Sequence, residues 1–518
     1  MVSFSNVASI LSRVNCFILS GGKCIAVTAA IIYFPNVAAE KISYKLNYNM
    51  GVATHFVRKQ KSMSHWDPEK YIPLIASSHI GWIRDEVLWR KLETSKGKYK
   101  IPKEDLEWIN LAHSYGIKII ITLNGSNPDV YGSGDFYPAA YADAASYLAK
   151  ELQGKIDAIE VVNEPFNWYA NVYAEGTRHG ENINGVSRTG VVGSWMKSYI
   201  QLLNLTAEKV KKNSSGIDVI GLGSFPGMNW RMLSYGISNK VDAITLHPYS
   251  YDTTPEILPY ANNTITLNGH KINNISDSHG TFTSVLKNML SFSRKNNGPS
   301  DIWLTEWGWT TKENGIFDRG HFKGVSEDAQ AAYIQRRFLQ SLGLNIPVSI
   351  LYSFMDDKNS TGNSSRSNSE DNFGVLYSDG QPKKAYAALK NVAELTLGFV
   401  RNNDIKYSII KESSRLDDSP AKSFDKTKIY APDGIMSYSF RSASGDHIIA
   451  AWSMEKYSKL PPREAVLKFE TQVSQIIVQD LLTKKIDKYA VSKNGDSWLS
   501  KSIKIPVNPV LIYVVENQ

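Results

Sequence analysis

Eight short apolar runs between Tyr44 and Phe354, separated by helix-length amphipathic stretches, constrain this chain more than any other feature. They are YKLNYNMGV (from Tyr44), GWIRDEV (Gly81), KIIITLN (Lys118), AIEVVNE (Ala158), DVIGLGS (Asp218), DAITLHPY (Asp242), DIWLTEW (Asp301) and VSILYSF (Val348). Unbroken Val/Ile/Leu runs are what strands buried on both faces require, and parallel sheets bury both faces. The stretches between them read as helices. PKEDLEWINLAHSYG sets Leu106, Ile109, Leu111 and Ala112 on one face and stops at Gly116. YPAAYADAASYLAKELQG stops in the same way at Gly154, and EDAQAAYIQRRFLQSLG repeats the pattern. Strand and helix in alternation, eight times, predict a parallel (β/α)8 TIM barrel. The rival, an open doubly wound sheet, lacks its glycine-rich phosphate loop after the first strand.

The barrel is expected to span residues 40–397, ending with the helix PKKAYAALKNVAEL from Pro382. Beyond it the texture changes to alternating or apolar runs such as DHIIAAWSM, EAVLKFE and SQIIVQDLL, divided by turn signals at Pro432-Asp-Gly and Asn494-Gly-Asp. Residues 398–518 therefore predict an antiparallel β-sandwich. Asn359–Asp371 and Lys411–Lys428 are polar, Ser/Asp-rich loops.

Residues 1–39 carry Arg13 and Lys23, an apolar core from Ile25 to Phe34, and small residues at Val37 and Ala39. That is the pattern of a cleaved secretory signal, and its core is short of the ~20 residues that span a bilayer. A retained membrane anchor is the lesser alternative; export to the periplasm or medium is expected. Cys16 and Cys24, the only cysteines, fall inside this segment, so the mature chain would have neither disulfides nor a thiolate nucleophile. Cleavage would take the net charge from +8 to +6. Six Asn-x-Ser/Thr triplets, beginning at Asn204, Asn213, Asn262, Asn274, Asn359 and Asn363, are compatible with export. No basic block, zinc-finger spacing or RNA-binding aromatic signature is present, which argues against a nucleic-acid partner.

Working residues of such a barrel sit at the C-terminal ends of its strands. Glu164 ends the fourth run and Glu306 the seventh, across the mouth from each other. Opposed carboxyls are what cleavage of a glycosidic bond needs, one protonating the leaving oxygen and the other meeting the oxocarbenium-like carbon. Asn163 can donate to a sugar 2-hydroxyl, and Pro165 stops the strand. Arg84, from the second run, can hold Glu306 ionised. His247 and Tyr249 can bond to the nucleophile or orient the acid. Trp168 and Trp309 offer faces for stacking sugars, whereas Trp82, Trp89, Trp303 and Trp307 read as packing. Asp85, Glu86 and Asp242 fall near the mouth by the same rule, without a catalytic role. Against these roles stands a plain strand-end salt bridge for Glu164 and Arg84, and a hydrogen-bonded core position for His247.

Gly81–Trp89, Glu160–Pro165, Leu246–Tyr249, Trp303–Trp309 and Phe373-Gly-Val-Leu…Asp379-Gly-Gln-Pro-Lys together resemble glycoside hydrolase clan A, and within it family 39. That family holds β-xylosidases and endoglycosidases encoded with bacterial exopolysaccharide synthesis. The resemblance runs from about Tyr44 to Leu395, and a following β-sandwich is typical. It implies Glu164 as acid/base and Glu306 as nucleophile of a retaining enzyme, with Asn163 at the 2-hydroxyl and Arg84, His247 and Tyr249 in support. No cofactor is called for, and no metal ligands are assigned. Where many clan members place Trp at the end of strand eight, this chain has Tyr352-Ser-Phe354, so the floor of the sugar site differs.

The expected activity is cleavage of a β-linked poly- or oligosaccharide, within an extracellular polysaccharide rather than at its end. The alternatives are a β-xylosidase-like exo enzyme and a non-catalytic carbohydrate-binding protein on a degenerate barrel. A metal-dependent hydrolase would need clustered His and Asp ligands, and only His247 is placed for that.

Overall fold

The computed structural model describes residues 44–516 except 59–62, 125, 133–135, 167–192, 260–263, 274, 314–322, 359–367, 411, 413–420, 423–427, 430–433 and 459. The expected signal segment, both cysteines, Trp168, and the triplets at Asn262, Asn274, Asn359 and Asn363 lie outside the described residues. Among the described residues, no helix is long and apolar enough to cross a membrane.

All eight apolar runs form strands: β1 Asn47–Ala53, β2 Ile80–Leu88, β3 Lys118–Asn124, β4 Ala158–Val161, β5 Asp218–Ser224, β6 Ala243–Leu246, β7 Asp301–Trp307 and β8 Ser349–Leu351. They pair in parallel in the order β1-β8-β7-β6-β5-β4-β3-β2 and close into a barrel. Each is followed by a helix: α1 Pro68–Ser77, α2 Lys103–Ser114, α3 Pro138–Glu151, α4 Ser194–Asn213, α5 Pro226–Gly236, α6 Phe282–Lys295, α7 Glu327–Gly343 and α8 Lys384–Leu395. Helix starts follow local chemistry. Asp67 caps α1 ahead of Pro68, Thr281 caps α6 and Ser326 caps α7, each side chain accepting a first-turn N–H. The face of α2 differs slightly from expectation. Asp105, Trp108, Ile109 and Ala112 are buried, while Leu106 and Leu111 flank them half-buried, because Trp108 claims the centre of the stripe.

Inside the barrel, Ala53, Trp82, Ile120, Ala158, Ile220, Ala243, Trp303, Val348 and Ile350 form one apolar plug. Trp82 and Trp303 meet edge to face at 5.4 Å, and alanines on β1, β4 and β6 make room for them. Side chains alternate along a strand. Two residues on from the plug, the inward positions are Arg84, Thr122, Glu160, Thr245 and Thr305, a buried polar layer on which the mouth is built.

After α8, ten strands form one antiparallel sheet: β9 Val400–Arg401, β10 Tyr407–Ile410, β11 Ile435–Arg441, β12 His447–Ser453, β13 Arg463–Phe469, β14 Val473–Asp480, β15 Ile486–Asn494, β16 Ser497–Ser500, β17 Ile503–Ile505 and β18 Val510–Glu516. The order β9-β11-β12-β18-β14-β15-β16-β13-β10, with β17 beside β13, doubles over into a sandwich-like layer pair. Its internal core includes Ile449, Ala451, Leu467, Phe469, Ile476 and Ile512. Alternate residues of β12, namely Ile448, Ala450 and Trp452, join the barrel's own core instead. That is why every residue of β12 is buried.

Candidate active site

The fourth strand stops early. Val162 and Glu164 both adopt left-handed backbone (φ 62° and 42°), which ends the β4 ladder at Val161. A β-branched residue there is strained, and such strain collects at functional sites. The groups released from the ladder are met by two helix tyrosines. Tyr141 of α3 accepts from Val162 N (3.2 Å), and Tyr199 of α4 donates to Val161 O (3.0 Å) and accepts from Leu222 N (2.8 Å). The kink turns Glu164 over the mouth with its side chain 22% exposed.

Glu306 arrives by a different route. Inward-facing Trp303 and Thr305 would put Trp307 inside and Glu306 outside if β7 stayed regular. The β7–β8 register shifts between Leu304 and Trp307. Past this bulge Glu306 bonds to Arg84, and Trp307 bonds Ser349 Oγ and packs on Phe338.

Arg84 organises the floor with three nitrogens. Nε donates to Glu160 (2.6 Å), Nη1 to Glu306 (2.7 Å) and Nη2 to Asn163 Oδ1 (2.8 Å). The last bond orients the Asn163 amide so that its N–H groups are its remaining polar contacts. Glu160 also accepts from Thr122 (2.8 Å), and Tyr249 donates to Glu306 (3.0 Å). His247 Nδ1 lies 2.9 Å from Glu164 and 3.6 Å from Glu306, with Nε2 3.1 Å from Thr305. Burial pushes the Glu306 carboxyl up, but His247, Arg84 and the Tyr249 bond together bring it below its ordinary value. Burial likewise pulls His247 down, and Glu306 and Glu164 more than offset it, leaving the imidazole raised.

Oxygens of Glu164 and Glu306 and a nitrogen of His247 lie within 4.8 Å of one another. Such a trio has the donor chemistry of a cation site, yet Arg84 already supplies a cation to Glu306 at 2.7 Å. One oxygen of each carboxylate therefore lies closer to the other than the ~6.5–9.5 Å spacing that admits a water, and in the neighbourhood of the ~5–5.5 Å of attack by the carboxylate itself.

Glu164, Glu306, Asn163, Arg84, His247 and Tyr249 thus form one connected cluster at the barrel mouth. Trp309 is not part of it. It is 1% exposed, its indole N–H donates to Thr253 O (3.0 Å), and its ring packs against Trp307 and Tyr333. The bulge that brings Glu306 in sends the following tryptophans outward, so Trp309 has no face for a sugar. Asp242 is also corrected: it precedes β6 at the opposite end of the barrel and binds Val219 N and Lys211. Asp85 is a buried cap for Thr54 and Phe56, pushed up to about 6 by burial.

Several residues at the mouth escaped the sequence reading. His55 pairs with Asp357 (3.0 Å), to which Trp66 also donates (2.7 Å), and Arg58 forks onto Glu86 (2.5 and 2.8 Å) beside Asn124. Glu370 keeps exposed surface, yet desolvation, Glu306 and Glu164 push its carboxyl up to about 7. The signal was available: Ala53-Thr-His and Met355-Asp-Asp directly follow the first and eighth apolar runs. Tyr352 stands between His55 and Phe373, at 5.8 and 5.4 Å.

No family model matches the sequence, and no curated protein matches it. Among solved structures, the chain is similar to a family 39 glycoside hydrolase from the gut symbiont Bacteroides cellulosilyticus WH2. The two are 21% identical over 91% of this chain and 81% of that one, with a TM-score of 0.61. It is also similar to a glucosidase from Croceicoccus marinus, 11% identical over 92% of this chain and 97% of that one, with a TM-score of 0.50. At these identities the likeness is one of fold: the chain shares the fold of that family 39 glycoside hydrolase.

Proposed function

We propose that the protein is a retaining glycoside hydrolase that cuts within an exported β-linked polysaccharide. The observation that carries this reading is the pair Glu164–Glu306, with one oxygen of each within 4.8 Å at the barrel mouth and in unlike surroundings. Glu306 is held ionised by Arg84 and Tyr249, which suits a nucleophile. Glu164 retains solvent access and contacts His247, which suits a group that exchanges protons with a leaving oxygen and then with water.

In the first step Glu164 gives its proton to the glycosidic oxygen while Glu306 attacks the anomeric carbon. The carbon–oxygen bond to the leaving sugar breaks as the bond to the Glu306 carboxylate forms. In the second, Glu164 takes a proton from water, whose oxygen attacks the same carbon and releases Glu306. Two inversions leave the configuration unchanged. Asn163, its amide oxygen occupied by Arg84, donates to the sugar 2-hydroxyl.

Activity on a panel of β-linked polysaccharides tests this, with oligosaccharide ladders expected rather than single sugars. Glu306→Gln should abolish turnover, and azide should rescue Glu306→Gly with inverted product. Wild-type-like turnover in Glu306→Gln would end the assignment, and binding without cleavage by the wild type would leave a carbohydrate-binding protein. Export is tested by the N-terminal sequence of secreted protein, expected to begin just after Ala39.

A further inference from the structure

The turn that follows β6 carries Tyr249 at one end and is locked to the C-terminal sheet at the other. Between Tyr249 and Leu258 it has no strand or helix; a few backbone bonds, among them Phe282 N to Glu256 O and Leu258 N to Gly280 O (both 2.9 Å), are joined by side chains in ordering it. Ser250 Oγ donates to Ile257 O (2.7 Å) and accepts from Arg337 Nη2 (2.8 Å). Trp309 donates to Thr253 O (3.0 Å).

The anchor is Glu256. Its carboxylate receives Arg336 Nε (3.1 Å), Arg336 Nη2 and, from strand β12 of the sheet, Trp452 Nε1 (2.8 Å). Arg336 is fixed in turn by the carbonyls of Met454 and Glu455, both 2.9 Å away and both just beyond β12. Ser250, Glu256, Arg336 and Trp452 are each no more than 1% exposed. A buried carboxylate needs every one of these donors, because an unmet buried charge is costly. The sheet therefore completes the set of donors that fixes the Glu256 end of the turn.

We propose that Trp452 is a positioning residue for the nucleophile: through Glu256 it sets the turn that holds the Tyr249 hydroxyl against Glu306. This rests on the assignment of Glu306 as nucleophile. The role differs from simple cement between two layers. Cement predicts lost stability alone, whereas positioning predicts a change at Glu306, since the Tyr249 bond helps hold that carboxyl down.

The test is Trp452→Phe in the full chain, which keeps the ring volume and deletes the N–H. We expect kcat/KM to fall roughly tenfold and the acidic limb of its pH profile to move to higher pH. In a Tyr249→Phe background the same change should lower Tm without moving the limb further. Glu256→Gln, which keeps shape but weakens the anchor, should shift the limb in the same direction. A lower Tm with an unmoved limb in both variants overturns the proposal. Crystal structures give a second readout, in which the Tyr249–Glu306 distance should lengthen from 3.0 Å in Trp452→Phe. An unchanged distance overturns it. If the wild type cleaves no glycoside, the reaction assignment fails on its own, and this distance alone decides the clamp.

Discussion

Arg84 holds two carboxylates and an amide, one on each nitrogen, from a position 5% exposed. Arg84→Lys keeps the charge but cannot fork to three partners. Glu306 then loses its main hydrogen bond, and the acidic limb of kcat/KM should rise. Arg84→Met also strands Glu160 and Glu306, so a stability loss of about 3–5 kcal/mol is expected by chemical denaturation. A second prediction concerns pH. Glu306 is lowered on folding, so its contribution exists above its unfolded value and disappears as pH falls through the folded one. His247 is raised, so its contribution is complete below its unfolded value and is lost as pH rises through the folded one. The Tm gap between wild type and His247→Asn should therefore be widest between about pH 4.5 and 6.5 and narrow on the alkaline side. Six of the expected site residues stand together at the mouth, and their placement was legible because strand ends are where such a barrel puts its chemistry. Glu160 was not, since an acid inside EVVNEP reads as part of the strand until Arg84 is seen to reach across to it.

At the scale of elements, what the sequence could not disclose was a change of register. TEWGW keeps one alternation on paper, and only the β7–β8 shift reveals that Glu306 turns in while Trp307 and Trp309 turn out. Trp309→Ala should consequently cost about 3–5 kcal/mol of stability and leave KM for short oligosaccharides near that of the wild type. A large rise in KM with little change in Tm would restore the tryptophan to the cleft. The β4 end was misjudged for a related reason. Its last residues look extended, but Val162 turns left-handed, and the tyrosines that make this tolerable come from helices far along the chain. Helices fared better, because caps and apolar spacing are local: α7 has the bounds its sequence suggested, and α3 and α8 start within two residues of theirs.

For the whole molecule, the change of texture near Leu397 reads as a border, yet the apolar interior runs across it. Phe440, Ile448, Ala450, Trp452, Leu481 and Leu511 share one continuous core with the barrel. Cutting the chain after residue 397 would bare these contacts, each large side chain being worth about 1.5–3 kcal/mol. Residues 44–397 alone should be insoluble or unfolded, and the intact protein should melt in a single calorimetric transition with matching van't Hoff and calorimetric enthalpies. Two separate transitions would show that barrel and sheet fold independently.

Strand β12 gives its odd residues to one interior and its even residues to another. A module joined by a linker can be exchanged between enzymes like a tool on a handle; a layer stitched in this way cannot. New specificity in such a lineage has to come from rewriting the loops around the rim, while the rear of the protein is inherited whole.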